Sequence, residues 1–335
     1  MNRPDPAETK IVLCVRFRFS LWSVPEFLPQ MIQQRWPEMR VVFLEGYERL
    51  GAELPDTDIF VGFTLTPEQL ASARKLKWIH VTAAGVTHLI REDVRERGIV
   101  VTNSRGIHAI PMGEHTIGMV IAMCHKFPEA MRYQQKHVWA QQQLWDELPR
   151  PGELHGATLL LIGLGAVGRE VARVAKCFGM RVEAVTHSGK GDTSLAERIF
   201  PVSELDLALG EADYVVVAAP ETPATTQMIG AKQLAAMKRS AVLVNVSRGV
   251  LVDEAALVRA LQERTIAGAA LDVTAEEPLP ASSPLWDLEN CFLTPHTSAA
   301  SEMLWTRQAE LLVENLERWF SGRELRNLVD IERGY

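Results

Sequence analysis

The sequence has few cysteines, no long apolar run and no block of basic residues, and each absence excludes a class of protein. Its four cysteines, Cys14, Cys124, Cys177 and Cys291, lie more than 50 residues apart and form no C-x-x-C pair. Neither a zinc ribbon nor a disulfide scaffold is therefore predicted, and a reducing cytoplasm is the expected location. No apolar stretch reaches the ~18 residues of a membrane span, so no membrane partner is expected.

The ends and the charge of the chain exclude further classes. The first ten residues are polar, and the apolar run at 11–15 is short and has no small-residue cleavage site, so no secretory signal is predicted. The net charge is −7 without a lysine–arginine stripe, so a nucleic-acid partner is not expected. With 335 residues, 47% of them hydrophobic, the chain should form a globular protein of two domains.

Short apolar runs alternate with amphipathic stretches, which predicts an α/β fold. The first set of predicted strands comprises Ile11–Phe17, Arg40–Leu44, Asp58–Phe63, Trp78–Ala83 and Ile99–Asn103. The second set comprises Thr158–Gly163, Arg181–Thr186, Tyr214–Ala219, Ala241–Val246, Ala267–Val273 and Cys291–Thr294. Predicted helices between them include Pro67–Lys75, Val167–Phe178, Ala231–Met237 and Glu254–Glu263. The second set of strands is continuously apolar and β-branched, which is typical of parallel strands buried on both faces.

Three more helices are predicted around these sets. Pro111–Cys124 is apolar nearly all round, which predicts a helix buried on every side. Glu129–Leu144 is more polar, carries Trp139, and predicts a second helix at a candidate subunit contact. Glu302–Phe320 is amphipathic and brings no new strand set. It is therefore expected to pack on the first set of strands, which would make the first domain discontinuous.

A glycine-rich turn follows the first strand of the second set. Gly163-x-Gly165-x-x-Gly168 lies between an apolar strand and a helix, and a further strand follows. In this context the first glycine allows the tight turn, the second lets a pyrophosphate approach the backbone, and the third lets the helix lie close to the strand. The pattern predicts a dinucleotide-binding turn rather than an ordinary one.

The end of the next strand bears on the choice of dinucleotide. NAD enzymes place an acidic residue there for the ribose 2′-hydroxyl, but this chain has Thr186, His187, Ser188 and Lys190. These hydroxyl and cationic groups suit a 2′-phosphate. We therefore predict that NADP is the preferred cofactor. The alternative is an ordinary polar loop that accepts NAD.

Three polar residues follow strands of the second set, namely Arg248, Glu277 and His296. The carboxyl ends of parallel strands are where open α/β sheets bind ligands. The histidine suits a general acid and base, the carboxylate would orient and stabilise its charged form, and the arginine would clamp a substrate carboxylate. Taken singly, each residue also has a purely structural interpretation: Arg248 as part of a surface ion pair, Glu277 as a solvated loop residue, and His296 as a helix-entry residue. A shared position after neighbouring strands favours a catalytic set, and no metal site is expected.

The motifs GLGAVGRE, NVSRGVLVDEAAL, GAALDVTAEEPLP and PLWDLENCFLTPHTS, which follow one another in this order along the chain, resemble those of the D-isomer-specific 2-hydroxyacid dehydrogenases. WIHVTAAGVTHL and ENLERWFSGRELRNLVD extend the resemblance from about Asp58 to the C-terminus. It implies two Rossmann-like domains: a central doubly wound dinucleotide-binding domain at 104–297, and a discontinuous flavodoxin-like substrate domain at 1–103 and 298–335. It also implies a homodimer formed through the cofactor domain.

The resemblance assigns roles to individual residues. Arg248 matches the family's substrate-carboxylate arginine, Glu277 the acid paired with histidine, and His296 the proton donor. The loop with Ala84, Gly85 and Val86 matches the one whose N–H groups bind the substrate carboxylate. Together with the candidates taken from the sequence itself, the positions expected to contact the cofactor, beyond the three glycines, are Ala166, Val167, Thr186, His187, Ser188, Lys190, Ala219, Pro220, Val246, Ser247, Arg248, Asp272, His296 and Ser298.

Departures from the family pattern narrow the expected activity. His88 stands where the AAGVT motif usually continues to an aspartate, and the loop Gly62–Thr66 carries no lysine or arginine. The expected activity is NAD(P)-dependent reduction of a small 2-oxo acid, such as glyoxylate or hydroxypyruvate, to a D-2-hydroxy acid. Two alternatives remain open: a dinucleotide-sensing protein of the co-repressor type, and a dehydrogenase of a phosphorylated hydroxy acid.

Overall fold

The structure is a computed structural model that describes residues 4–17 and 19–331. Backbone contacts divide the chain into two compact units. The first unit combines the chain up to Ile107 with the chain from Ala300 onward, and the second runs from His108 to Ala299. The roles that the sequence analysis gives to its two domains stay predictions.

Within the described residues the chain forms twelve strands and twelve α-helices. The strands are β1 (Lys10–Cys14), β2 (Arg40–Phe43), β3 (Ile59–Gly62), β4 (Trp78–Val81), β5 (Val100–Asn103), β6 (Thr158–Ile162), β7 (Arg181–Thr186), β8 (Arg198–Pro201), β9 (Tyr214–Val217), β10 (Val242–Asn245), β11 (Gly268–Leu271) and β12 (Cys291–Leu293). The helices are α1 (Phe27–Arg35), α2 (Leu50–Glu53), α3 (Pro67–Ser72), α4 (Glu92–Glu96), α5 (Ala109–Cys124), α6 (Phe127–Gln135), α7 (Gln141–Asp146), α8 (Ala166–Cys177), α9 (Leu205–Glu211), α10 (Ala231–Ala236), α11 (Glu254–Gln262) and α12 (Leu304–Ser321).

The first unit contains a five-stranded parallel sheet in the order β2-β1-β3-β4-β5. This is the flavodoxin-like order. Apolar side chains cover both faces of the sheet: Leu70 and Val94 belong to one cluster, and Ile32 and Leu316 to the other. The helix α12 packs in the second cluster with α1, as predicted for the C-terminal helix.

The second unit contains a seven-stranded parallel sheet in the order β12-β11-β10-β9-β6-β7-β8. Ile117 and Val171, from α5 and α8, cover one face, and Leu209 and Leu257, from α9 and α11, cover the other. The chain runs outward from β6 in both directions, so the carboxyl ends of β6 and β9 flank the topological switch point. The predicted fold class of two Rossmann-like, doubly wound units is confirmed.

Each of the eleven predicted strands is present, most of them shorter than predicted. The strand β8 was not predicted, because it is a four-residue edge strand that ends in Pro201, and proline in a sheet is tolerated mainly at edges. The single helix predicted over Glu129–Leu144 is wrong. The structure has α6 and α7 instead, separated by His137 with a positive φ of 55°.

The prediction that Pro111–Cys124 is buried on every side needs correction. The helix α5 is present, but it buries one face through residues such as Ile117 and Val120, while Glu114 and Gly118 are exposed. Its second face lies at the surface of the unit because small and polar residues are interspersed among the apolar ones. In the part of the chain that is described, no helix has the length and apolar composition needed to cross a membrane.

A buried polar network joins β4, β5 and α12 inside the first unit. His80 is fully buried, and its Nδ1 lies 2.9 Å from Thr102 Oγ1. Ser104 Oγ donates to Gln308 Oε1 at 2.7 Å, and Gln308 Nε2 donates to the carbonyl of Thr82 at 2.6 Å. Burial lowers the pKa of His80 to about 4, although a hydrogen bond with Gln308 opposes the shift. The imidazole is therefore neutral in the folded protein.

The depressed pKa of His80 predicts that the first unit loses stability in mild acid. The unfolded chain takes up a proton at His80 near pH 6.5, whereas the folded chain does so only near pH 4, so stability is lost as pH falls through that window. Between pH 7 and 5 the free energy of unfolding should fall by about 2 kcal/mol more in the native protein than in a His80→Asn variant. Urea unfolding at several pH values measures this difference, and parallel pH dependences would contradict the assignment.

Candidate active site

Three polar side chains follow three adjacent strands at the same edge of the second sheet. Arg248 follows β10, Glu277 follows β11 and His296 follows β12, and these strands pair in parallel register. Because the carboxyl ends of parallel strands meet at one edge, the three residues lie on neighbouring loops. The adjacency expected from the sequence is therefore present within this unit.

Two of the three side chains form a direct pair. His296 Nδ1 donates to Glu277 Oε2 at 2.6 Å, and both side chains remain partly exposed. The other oxygen of Glu277 accepts from the backbone N–H of Thr274 at 3.2 Å. Because Nδ1 is committed to the carboxylate, Nε2 is the nitrogen left to exchange a proton with a ligand.

The buried carboxylate of Asp272 organises the turn that carries His296. Its oxygens accept hydrogen bonds from Thr294 Oγ1 at 2.6 Å, from the N–H of Thr297 at 2.9 Å and from the N–H of Ser298 at 3.0 Å. The N–H of His296 donates to the Asp272 carbonyl at 2.8 Å. These bonds hold His296 at a φ of 53°, a conformation that costs a non-glycine residue about 1–2 kcal/mol.

Two opposing effects set the ionisation of Asp272. Burial raises the pKa of its carboxyl, but the hydrogen bonds from Ser298, Thr294 and Thr297 outweigh burial and leave the pKa below its ordinary value. A carboxylate that accepts several hydrogen bonds is favoured in its charged form. Asp272 is therefore a fixed negative charge beneath the turn.

Sequence reasoning missed two residues that support these loops. His115, on α5, places Nε2 at 3.1 Å from Thr294 Oγ1 and at 3.6 Å from Asp272. Asn245 ends β10, and its side chain bonds the N–H of Ser247 and the carbonyl of Arg248. An asparagine at a strand end favours such a turn, so that signal was present for Asn245. No local signal identifies His115, because its partners are distant in sequence.

Arg248 is exposed, and its guanidinium donates to the Ser247 carbonyl at 2.7 Å. Among the described residues, no hydrogen bond or ion pair joins it to Glu277 or His296. Gly249 lets this loop approach the next one, since a Cβ there would lie 2.0 Å from the Thr274 backbone. The arginine is thus held beside the Glu277 loop with its cationic end exposed, which suits an anionic ligand.

The glycine turn after β6 has the geometry of a dinucleotide cradle. Gly163 has a φ of 103°, and a Cβ there would meet the Ala218 carbonyl at 2.8 Å. Gly165 faces open space, and a Cβ at Gly168 would lie 2.2 Å from the Gly163 carbonyl. The helix α8 then begins with Ala166 and Val167, whose N–H groups point out of its first turn. The three glycines therefore allow the tight turn, the open approach to the backbone and the close helix–strand packing that a dinucleotide-binding turn requires.

The loop after β7 contains the residues considered for a 2′-phosphate. His187, Ser188 and Lys190 are exposed, whereas the Thr186 hydroxyl donates to the Lys190 carbonyl at 3.0 Å. The Thr186 hydroxyl thus shapes the loop. Nearby along the chain, Asp192 pairs with Arg169 of α8 at 3.2 Å, an ion pair that the sequence did not indicate.

The remaining cofactor candidates lie at the carboxyl edge of the second sheet. Ala219 and Pro220 follow β9, and Val246 and Ser247 follow β10. Ala219, Val246, Asp272 and Ser298 are buried, whereas Pro220 is exposed. All of them flank β9 to β12, on one side of the switch point.

The loop assigned to the substrate carboxylate lies in the first unit, after β4. Ala84 and Gly85 are exposed and Val86 is buried. Asn103 Nδ2 donates to the Ala84 carbonyl at 2.8 Å, and the N–H of Ser104 donates to the Ala83 carbonyl at 3.0 Å. Within the described part of the chain, the N–H groups of Gly85 and Val86 have no hydrogen-bond acceptor, so they can receive one from a ligand.

The cysteines and exposed tryptophans have no part in these loops. The four thiols are free, and only Cys177 is exposed. The cytoplasmic location inferred from them stays a prediction. Trp139 is 91% exposed and Trp145 is 53% exposed, both near α6 and α7.

The role of Asp272 can be tested by its neutral isostere. Asp272→Asn would turn amide hydrogens toward the N–H groups of the turn, so the free energy of unfolding should fall by about 2–3 kcal/mol. Asp253→Asn is the matched control, because Asp253 caps α11 and asparagine caps helices equally well. Urea unfolding compares the two variants, and equal stabilities would contradict the role of Asp272.

Comparisons with known proteins agree with this geometry. The model of the family "D-isomer specific 2-hydroxyacid dehydrogenase, NAD binding domain" matches residues 117–298. A glyoxylate reductase of Korarchaeum cryptofilum is 37% identical over 83% of this chain and 84% of its own length. A D-3-phosphoglycerate dehydrogenase of Methanocaldococcus jannaschii is 32% identical over 85% of this chain, but over only 54% of its own length.

Structural comparison gives the same relationship. A D-isomer specific 2-hydroxyacid dehydrogenase from Xanthobacter autotrophicus, solved with NADPH and MES, superposes with a TM-score of 0.80 at 27% identity and covers 98% of this chain and 99% of its own. The expectation drawn from the motifs is confirmed. The chain belongs to the D-isomer specific 2-hydroxyacid dehydrogenase family and is an NAD(P)-dependent oxidoreductase of that family.

Proposed function

We propose that the protein reduces a small 2-oxo acid to a D-2-hydroxy acid, with NADPH as the preferred reductant. The observation that carries the proposal is the pair formed by His296 and Glu277. It lies in the unit that contains the glycine turn, which we propose to be the cofactor domain. The unit formed by the two ends of the chain would be the substrate domain.

The proposed mechanism assigns one task to each residue. The bound nicotinamide would supply a hydride to the carbonyl carbon of the substrate. His296, protonated at both ring nitrogens, gives the Nε2 proton to the carbonyl oxygen as that oxygen gains charge, and Glu277 stabilises the imidazolium beforehand. Arg248 provides a guanidinium for the substrate carboxylate. For the first unit we propose, separately, that the N–H groups of Gly85 and Val86 bind a substrate carboxylate. In the oxidative direction His296 takes the hydroxyl proton.

The identity of the 2-oxo acid is a separate proposal. The Korarchaeum relative is named a glyoxylate reductase, which supports a 2-oxo acid as the substrate but does not specify the side chain that this chain prefers. The Methanocaldococcus relative is named for a phosphorylated substrate, but the loop Gly62–Thr66 of this chain carries no cation for a phosphate. A dinucleotide-sensing protein would not need the His296–Glu277 pair. Turnover of any 2-oxo acid separates an enzyme from a sensor.

The proton-donor role predicts a loss of turnover without a loss of cofactor binding. His296→Asn should lower kcat by about 10²–10⁴, while the Kd for NADPH changes little. Glu277→Gln should also lower kcat, because a neutral amide stabilises the charged ring less than a carboxylate does. His155→Asn, at an exposed histidine before β6, is the control. Near-native turnover of His296→Asn would overturn the mechanism.

The loop after β7 predicts a preference for NADPH. Its exposed His187, Ser188 and Lys190 suit a 2′-phosphate, and the Xanthobacter relative was solved with NADPH. Thr186→Asp should reverse the preference by repelling that phosphate, whereas Thr186→Ala, which adds no charge, should leave its direction unchanged. Kinetics with both cofactors test this, and equal or better use of NADH by the native protein would contradict it.

We also propose that the protein is a homodimer formed through α5–α7. Exposed apolar residues gather there, including Phe127, Met131, Trp139 and Leu148, and patches of this kind mark protein contacts. Sedimentation at micromolar concentration should give about twice the chain mass of 37.3 kDa. Trp139→Ser should shift the equilibrium toward monomer, and a monomeric native protein would refute the proposal.

A further inference from the structure

The first unit has a topological switch point of its own. Its strand order places β1 between β2 and β3, and the chain passes from β1 outward to β2 and then back to β3. In open parallel sheets, ligands bind outside the carboxyl ends of the two strands at such a point. In this unit those strands are β1 and β3, which pair through Cys14 and Gly62.

Three aromatic rings occupy this position. Phe17 follows β1, Phe63 follows β3 and His88 follows β4. The Phe17 and Phe63 rings meet edge to face with centroids 5.8 Å apart, and His88 stacks on Phe63 at 4.5 Å with the planes 18° apart. Phe17 remains 40% exposed, and Phe63 and His88 are only partly buried. The aromatic cluster formed by Phe17, Phe63 and His88 thus presents ring surface to solvent.

One polar atom of the aromatic cluster, Nε2 of His88, is already paired. His88 Nε2 donates to the Phe63 carbonyl at 2.6 Å, which joins the loop after β4 to the loop after β3. The loop Gly62–Thr66 has no charged side chain. The ring surface itself is therefore suited to an apolar group.

The aromatic cluster is directly connected to the loop proposed to bind the substrate carboxylate. His88 lies two residues after Val86, whose N–H group lacks an acceptor within the described residues, as does that of Gly85. Asn103 holds the same loop through the Ala84 carbonyl. A 2-oxo acid bound there by its carboxylate would carry its side chain only a few ångströms away, at the ends of strands spaced ~5 Å apart.

We propose that Phe17, Phe63 and His88 form the subsite for the side chain of the 2-oxo acid, and that they select an apolar side chain, branched or aromatic. This inference rests on the proposed function. It also explains why a histidine stands at position 88, where the family motif has an aspartate: the imidazole extends the aromatic surface, whereas a carboxylate would place a charge beside an apolar group.

The test compares kcat/KM for four 2-oxo acids: glyoxylate, hydroxypyruvate, 4-methyl-2-oxopentanoate and phenylpyruvate. The native protein should prefer the last two by about tenfold or more, the usual worth of an apolar subsite. Phe63→Ala should lower kcat/KM for them by about tenfold and should change that for glyoxylate much less. His88→Asn, which retains a donor for the Phe63 carbonyl, should reduce the same preference.

Two comparisons keep the outcome specific to the aromatic cluster. Phe178→Ala, at a phenylalanine that is 42% exposed after α8, should leave the substrate order unchanged. In Phe63→Ala, the Kd of D-phenyllactate for the complex of the protein with oxidised cofactor should rise. This measurement does not depend on turnover.

The inference and the proposed function fail in different ways. If glyoxylate or hydroxypyruvate is the best substrate, or if Phe63→Ala lowers kcat/KM for all four acids in the same proportion, the subsite proposal is overturned and the reductase stands. If none of the 2-oxo acids is reduced, the proposed function itself fails.

Discussion

The hydrogen bonds to the buried Asp272 carboxylate are the constraint on which the candidate active site depends. They fix the turn 294–298, hold His296 at a positive φ and so bring its ring to Glu277. An unpaired charge at this depth would destabilise the unit. Hydrogen bonds from the three donors stabilise the buried charge, and the same bonds hold the turn in one conformation. The rigidity of His296 is therefore set by a residue that lies beneath it.

Parallel strands account for the grouping of the remaining parts. Because all strands of the second sheet run the same way, the glycine turn after β6 and the loops after β7, β10, β11 and β12 open at one edge. In each unit the candidate ligand residues lie beyond the carboxyl ends of the parallel strands, where open sheets bind ligands. The second unit thus presents N–H groups, a guanidinium and an imidazole at one edge of its sheet, which is the arrangement that electrostatic catalysis needs.

The sequence predicted those parts of the fold whose signals are local. Continuous apolar runs such as Leu159–Ile162 identified the buried strands, and the spacing of Gly163, Gly165 and Gly168 identified the turn. It failed where the signal is weak or depends on distant residues. The edge strand β8 has only two apolar residues. No proline or glycine near His137 indicates that the helix ends there. The support of Thr294 by His115 depends on packing between α5 and β12, which no spacing in the chain reveals.

The most direct test of the account is the configuration of the product. The native protein, supplied with NADPH and a 2-oxo acid whose product is chiral, such as hydroxypyruvate or phenylpyruvate, should form the D-2-hydroxy acid, with one equivalent of cofactor oxidised for each molecule formed, as chiral chromatography and absorbance at the nicotinamide band would measure. The L-enantiomer, a racemic mixture or no turnover with any 2-oxo acid would contradict it.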